Sequence, residues 1–169
     1  MGVVTARQRR AGLCVLASAA LFSLAACSGA PPPPPTIVNL TMTTTADVNP
    51  TAAGQGAPVA LRIYQLGSSA GFEKAEFFRL YNSDSAALGS DIVKKDEYLL
   101  PPGTTRAVSV QPPGPVTTLG VFAGYRDFSH ANWRATVPIP PNKTTNVTVK
   151  ADAKGVTVQA APAPDRPAS

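Results

Sequence analysis

Cysteine, histidine and tryptophan are nearly missing from this 169-residue chain: there are two cysteines, one histidine and one tryptophan. Both cysteines, Cys14 and Cys27, fall within the first 27 residues, so no disulfide framework and no thiolate metal centre can hold the rest together. With His130 alone, a histidine-rich metal site or a paired-histidine acid–base mechanism lacks its second member. The carboxylates are equally sparse. Asp91, Asp96 and Glu97 do not have the spacing of an EF-hand loop, so neither sequence pattern implies a metal or other cofactor. The 15 basic residues form no stripe or run, which argues against nucleic acid as a partner. Apolar runs long enough to span a bilayer are also lacking, since the longest, Ala11 to Ala25, is too short to cross comfortably.

That short apolar run is the first informative feature. Arg7, Arg9 and Arg10 precede it, and Leu24 with the small residues Ala25 and Ala26 leads into Cys27. A basic head, an apolar middle and a small-residue cleavage site make a secretory signal. The cysteine makes it resemble a bacterial lipobox, in which the thiol receives a diacylglycerol and the chain is cut just before it. Cys27 is therefore the expected lipid-attachment residue and residues 1–26 the signal peptide. Ser28 stands where an aspartate would resemble a signal for retention at the inner membrane, so the expected location is the periplasmic face of the outer membrane. Cleavage leaves 143 residues, enough for one domain and not two. Three arginines leave with the signal, and the formal charge falls from +5 to +2.

The remaining chain opens on Pro31 to Pro35, an unbroken proline run that reads as a stiff extended tether within residues 27–35. From residue 36 to 160 the pattern is mostly period two. Val38, Leu40 and Met42 alternate with polar neighbours, as do Val59, Leu61 and Ile63. Further strands are expected at Arg106 to Val110, Leu119 to Arg126, Trp133 to Ile139, Thr144 to Lys150 and Gly155 to Gln159. Proline, glycine and asparagine clusters separate them. Many short strands joined by turns predict a mainly β, antiparallel two-sheet sandwich. One stretch interrupts it: Phe72 to Tyr81 is rich in helix formers, with Ser68 or Ser69 available as a cap. A short turn around Asp84 to Leu88 follows, then a mixed segment from Asp91 to Leu100. The helical insertion thus covers about 69–90, and residues 161–169 read as a tail that frays from Ala160 onward.

The residues also carry a family resemblance. Asn49-Pro50, Pro58-Val59 and Arg62-Ile63-Tyr64-Gln65-Leu66 resemble the TssJ family of type VI secretion outer-membrane lipoproteins. So do Phe72, Ala75-Glu76-Phe77-Phe78, Leu80-Tyr81, Leu88-Gly89 with Asp91, and Pro102-Gly103. The likeness continues in Gly120-Val121, Tyr125-Arg126-Asp127 and Trp133-Arg134. It implies a transthyretin-like sandwich and a role in docking the periplasmic domain of the inner-membrane protein TssM, which anchors a trans-envelope complex. It also implies that the loop between the first two strands, Thr45 to Ala57, contacts that partner. The expected binding residues are Asp47, Val48, Asn49, Pro50, Thr51, Ala52, Ala53, Gly54, Gln55 and Gly56. At 13 residues this loop exceeds what a hairpin needs. Replacing Val48 to Gln55 by a short Gly-Ser turn is expected to leave thermal unfolding nearly unchanged, on the reading that no core residue lies there.

Competing readings come from other classes. A generic periplasmic lipoprotein would bind some other partner. A small serine hydrolase would use Gly67-Ser68-Ser69-Ala70-Gly71, which fits G-x-S-x-G between a strand and a helix, with Asp91 or Asp96 and His130 completing a triad. Against the hydrolase, the chain lacks the repeated strand–helix units of that scaffold and a glycine-rich oxyanion motif before Ser69. A protein without enzymatic activity or small-molecule substrate is expected. Arg126-Asp127 and Arg134 read as a salt-bridged strand end, Lys94-Lys95 as an exposed charge pair, Trp133 as core and His130 as a solvated turn residue.

Overall fold

The computed structural model describes residues 32–164. Cys27, the signal segment 1–26, the start of the tether and residues 165–169 lie outside the described residues.

Eight strands form two four-stranded sheets. In chain order they are β1 (Ile37–Thr44), β2 (Val59–Leu66), β3 (Ile92–Leu100), β4 (Thr105–Val110), β5 (Thr118–Ala123), β6 (Arg134–Pro138), β7 (Thr144–Ala151) and β8 (Val156–Pro162). One sheet has the order β4-β1-β7-β8 and the other β3-β2-β5-β6. The sandwich is mainly β and two-sheeted, as its sequence pattern predicts. It departs from a fully antiparallel plan at one pair: β1 and β7 run parallel, Leu40 beside Val147. Their separation of about a hundred residues in the chain allows this, since a parallel pair needs a long crossover.

Alternation drives the packing. Val38, Leu40 and Met42 of β1 and Val147, Val149 and Ala151 of β7 face Val59, Leu61 and Ile63 of β2 and Leu119 and Val121 of β5. The outward face of β2 and β5 is apolar too, and this demands a second cover. Tyr64, Leu66 and Phe122 point outward beneath Phe72, Phe77, Leu80 and Leu88 from the helical insertion. Gly120 makes the fit possible. A Cβ there would stand 3.0 Å from Leu66 and 3.2 Å from the Phe72 ring.

The insertion is two helices, α1 (Ala70–Lys74) and α2 (Phe77–Leu88), followed by one 3-10 turn at Gly89–Asp91. The chain breaks between them at Ala75-Glu76, where both residues are extended. Neither serine caps α1 as expected: Ser69 sits at the cap position without a side-chain hydrogen bond. Ser68 Oγ only accepts a long bond of 3.4 Å from the Ala70 amide.

Arginines from the sheet do the capping work instead. α2 kinks at Ser83, whose φ of −151° is not helical, and this frees carbonyls in the preceding turn. Arg62 Nη1 donates to the Leu80 and Tyr81 carbonyls, 2.9 Å each. Arg134 Nη1 donates to Phe72 and Ala75 carbonyls at 3.2 and 2.6 Å, closing the end of α1. Arg134 is therefore not part of a salt-bridged strand end. Asp127 pairs with His130 Nδ1 at 2.8 Å on the surface rather than with Arg126.

Three further expectations need correction. The mixed segment after the insertion is the nine-residue strand β3, antiparallel to β2. Lys94 and Lys95 lie on it, so alternation sends them to opposite faces. Lys95 Nζ donates to Asp84 Oδ2 at 2.8 Å, beside the Tyr64 hydroxyl, which donates to the same oxygen at 2.8 Å. Finally, β8 continues through Pro162, past the Ala160 at which the tail was expected to fray.

Candidate functional site

β1 runs from the proline-rich tether toward the loop 45–58, so this loop sits at the end of the sandwich opposite the tether. The turn after β3, the loop from Gly124 to Trp133 and the turn after β7 gather at the same end. Thr44 Oγ1 donates to the Pro101 carbonyl at 2.6 Å, the Gly103 amide donates to Thr45 O at 3.1 Å, and the Asn132 amide donates to Lys154 O at 3.0 Å. Tyr125 is buried there, and its hydroxyl donates to the Asp152 carbonyl at 2.9 Å. Burial, and then the neighbouring Asp152, push its pKa well above the ordinary phenol value.

The loop divides into a fixed stem and an exposed tip. Val48 is fully buried within the core between the sheets. Asn49, 4% exposed, adopts a left-handed φ of 49° and uses both ends of its amide. Its Nδ2 donates to the Pro58 carbonyl and its Oδ1 accepts from the Arg126 amide, both at 2.8 Å. The Ala57 amide donates to Val48 O at 2.9 Å and closes the stem. Gly56 fits against the loop's own backbone, because a Cβ would run into the Ala46 carbonyl oxygen.

Beyond the stem, the Thr51 amide donates to Gln55 O at 2.8 Å, and the Gly54 amide donates to Thr51 O at 2.9 Å. This pins a tight turn with Gly54 at φ 75°. Ala52, Ala53, Gly54 and Gln55 are exposed, as is Asp47, whose carboxylate accepts from Thr45 Oγ1 at 2.6 Å. Pro50 and Thr51 are half-buried.

The expected binding set is thus two sets. Val48 and Asn49 face inward and are buried, and Gly56 serves the loop's own packing. Only Asp47 and Ala52 to Gln55 stand free, with Pro50 and Thr51 partly accessible. The expectation that Val48 to Gln55 touch no core residue is wrong, since Val48 is core and Asn49 joins the loop to the segment after β5. A valine beside Asn-Pro gave no alternation to mark it as buried.

The proposed triad is not assembled. Ser69 follows β2 at the tether end, whereas His130 follows β5 at the far end. An eight-residue strand separates those ends by about 25 Å. His130 Nδ1 faces Asp127 and Ser129 instead. Among the described residues, no group of three or more histidine, cysteine, aspartate or glutamate side chains could hold a metal ion. No helix among them is long and apolar enough to cross a membrane.

The two-sheet sandwich agrees with what the chain matches. Residues 36–154 fit the family model of the type VI secretion lipoproteins (VasD, EvfM, TssJ). The chain belongs to the TssJ family. It is similar to the T6SS lipoprotein TssJ1 from Pseudomonas aeruginosa, 36% identical with a TM-score of 0.74, covering 78% of this chain and 100% of that one. Lip from Serratia marcescens, a membrane-bound component of the type VI secretion system, is 26% identical with a TM-score of 0.68, covering 74% and 98%. A chain in the structure of the T6SS protein TssM C-terminal domain from EAEC shares the fold at 22% identity and a TM-score of 0.61, covering 73% and 98%. No curated protein matches the chain. The TssJ family is one of secretion lipoproteins and not of enzymes.

Proposed function

We propose that this TssJ-family chain is anchored through acylated Cys27 to the periplasmic face of the outer membrane. There it docks the periplasmic domain of the inner-membrane protein TssM, helping to fix the secretion complex to the envelope. The observation that carries this reading is the exposed tip Ala52–Gln55 on a stem locked by Val48 and Asn49, at the end of the sandwich opposite the tether. A loop held in this way loses little conformational freedom on binding, and a rigid scaffold presenting one variable segment suits recognition better than catalysis. The tip lies at the end of the sandwich opposite the start of β1 at Ile37.

The test is a direct titration of the chain with the purified periplasmic domain of TssM. Ala52→Glu combined with Ala53→Glu places two charges on the tip without touching the stem. This variant should melt like the wild type and bind at least about tenfold more weakly, the effect expected of a contact at an interface centre. Unaltered affinity would place the contact elsewhere.

A further inference from the structure

The tip of the loop between β1 and β2 keeps its shape by bonds of its own. The Thr51 amide donates to Gln55 O at 2.8 Å and the Gly54 amide to Thr51 O at 2.9 Å. The Gln55 amide adds a longer bond of 3.3 Å to Thr51 Oγ1. None of these three reaches the sandwich. Where the turn is aimed is therefore decided separately, and on the outgoing arm it is decided at the joint between Asn49 and Pro50.

A proline constrains the residue before it. Its ring disfavours helical angles there and drives that residue toward extended backbone, with φ near about −120°. Asn49 has φ 49° instead, in the left-handed region. Asparagine tolerates that region better than most residues, because its short polar side chain can hydrogen-bond nearby. The joint is thus bent against the preference that Pro50 imposes, and the side chain of Asn49 holds the bend. Its Nδ2 donates to the Pro58 carbonyl and its Oδ1 accepts from the Arg126 amide, both at 2.8 Å. Each partner belongs to a fixed segment. Pro58 leads directly into β2, and Arg126 follows Tyr125, which is buried and bonded to the Asp152 carbonyl. On the other side of the joint Val48 is core, and its carbonyl accepts from the Ala57 amide at 2.9 Å. Relaxing Asn49 to extended backbone would carry Pro50 and the turn beyond it out of place, and it would leave the turn's own bonds intact.

We propose that Asn49 is the positioning residue of the docking loop: its amide holds the joint in the left-handed bend and so sets how often the tip stands ready to bind. This rests on the docking role proposed above and adds what governs it. A protein whose competent form is populated only part of the time binds with an affinity reduced by that fraction. The reduction falls on the association rate, because the tip that finally docks is unchanged. Residues that grip a partner act mainly through the dissociation rate instead. The backbone angle adds a second signature. Glycine and alanine both lack the amide, but glycine accepts the left-handed angle and alanine resists it. A positioning role therefore ranks the three residues asparagine, glycine, alanine, whereas a contact role makes the last two equal.

The experiment measures association and dissociation rates of the full chain, Asn49→Gly and Asn49→Ala with the purified periplasmic domain of TssM, beside the tip variant carrying Ala52→Glu and Ala53→Glu. Circular dichroism first establishes that each variant is folded at the temperature used. Expected are association rates about threefold lower for Asn49→Gly and at least about tenfold lower for Asn49→Ala. Dissociation rates should stay within about twofold of wild type. Unchanged association in both, equal losses in both, or a loss carried by dissociation overturns the proposal. With the tip variant impaired, any of these leaves the docking role standing. Absence of binding by the wild type, or full affinity in the tip variant, removes the docking role of the tip and this proposal with it. Should Asn49→Ala fail to fold, the division of the Asn49→Gly effect between the two rates decides.

Discussion

Asn49 offers the sharpest test of the fixed stem. Its amide satisfies two backbone groups from segments far apart in the chain, the Pro58 carbonyl and the Arg126 amide. Alanine would remove both bonds, at about 1 kcal/mol net for each. It would also hold a residue with a Cβ and no local hydrogen bond at the left-handed φ of 49°, which costs a further ~1–2 kcal/mol. Asn49→Ala should therefore lower stability by about 3–4 kcal/mol in all. At roughly 3–5 °C per kcal/mol for a domain of this size, the melting temperature falls by about 9–20 °C. Asn49→Gly separates the two contributions, because glycine accepts the backbone angle but makes neither bond, and should recover about 1 kcal/mol or more of the loss. Gln55→Ala at the exposed tip should stay within ~0.5 kcal/mol of wild type. Thermal unfolding followed by far-ultraviolet circular dichroism measures all three. If Asn49→Ala melts within a degree of the wild type, or if the tip variant falls as far, the division into stem and tip is refuted.

Acid sensitivity should trace to Asp84. Burial alone would raise its pKa, but hydrogen bonds from Lys95 and Tyr64 outweigh it and hold the carboxyl below its ordinary value. A depressed folded-state pKa contributes stability that is present above the unfolded value, near ~3.9, and is lost as pH falls through the folded one. Asp84→Asn should therefore destabilise the protein at neutral pH and flatten its melting temperature between about pH 5 and pH 2; a variant as acid-sensitive as the wild type would contradict this. Ser69→Ala should change neither stability nor partner binding by a measurable amount, since its side chain makes no capping bond; labelling of Ser69 by a fluorophosphonate probe would instead revive the hydrolase. Cys27→Ser should abolish incorporation of radiolabelled palmitate, and wild-type protein that takes up no label would remove the lipoprotein chemistry from this chain.

The strands were legible because each has one face turned to the core between the sheets, so period two survives in the sequence. β3 was not. It is an edge strand whose Ile92, Val93, Lys94 and Lys95 show no alternation. Its neighbours also differ by face: Lys95 reaches outward to Asp84 beneath α2, and Lys94 sits 3.5 Å from Asp96 on the other side. Hydrophobic patterning cannot register a strand that is mostly exposed and whose lysines alternate between two faces by pairing with different carboxylates. The same holds for Arg62 and Arg134, which resemble surface charges but are positioned by helix ends that the sequence does not place.

For the candidate site, length and turn residues identified the loop, while the roles within it depended on contacts formed at a distance. Asn49-Pro50 reads as a breaker, and it is one. What the sequence cannot express is that the breaker's side chain also ties the start of β2 to the segment after β5, or that Val48 drops into a core built by seven strands. The residues that carried the family resemblance follow the same logic. Arg62, Tyr64, Tyr125 and Arg134 hold the helices to one sheet and the loops to one end, whereas the tip Ala52–Gln55 is fixed by its own short turn. Matching residues therefore report the scaffold, and recognition can vary on the tip without disturbing it. Under the docking role proposed above, a partner that distinguishes members of this family reads the tip, where side chains are free to change, and not the residues by which the family is recognised.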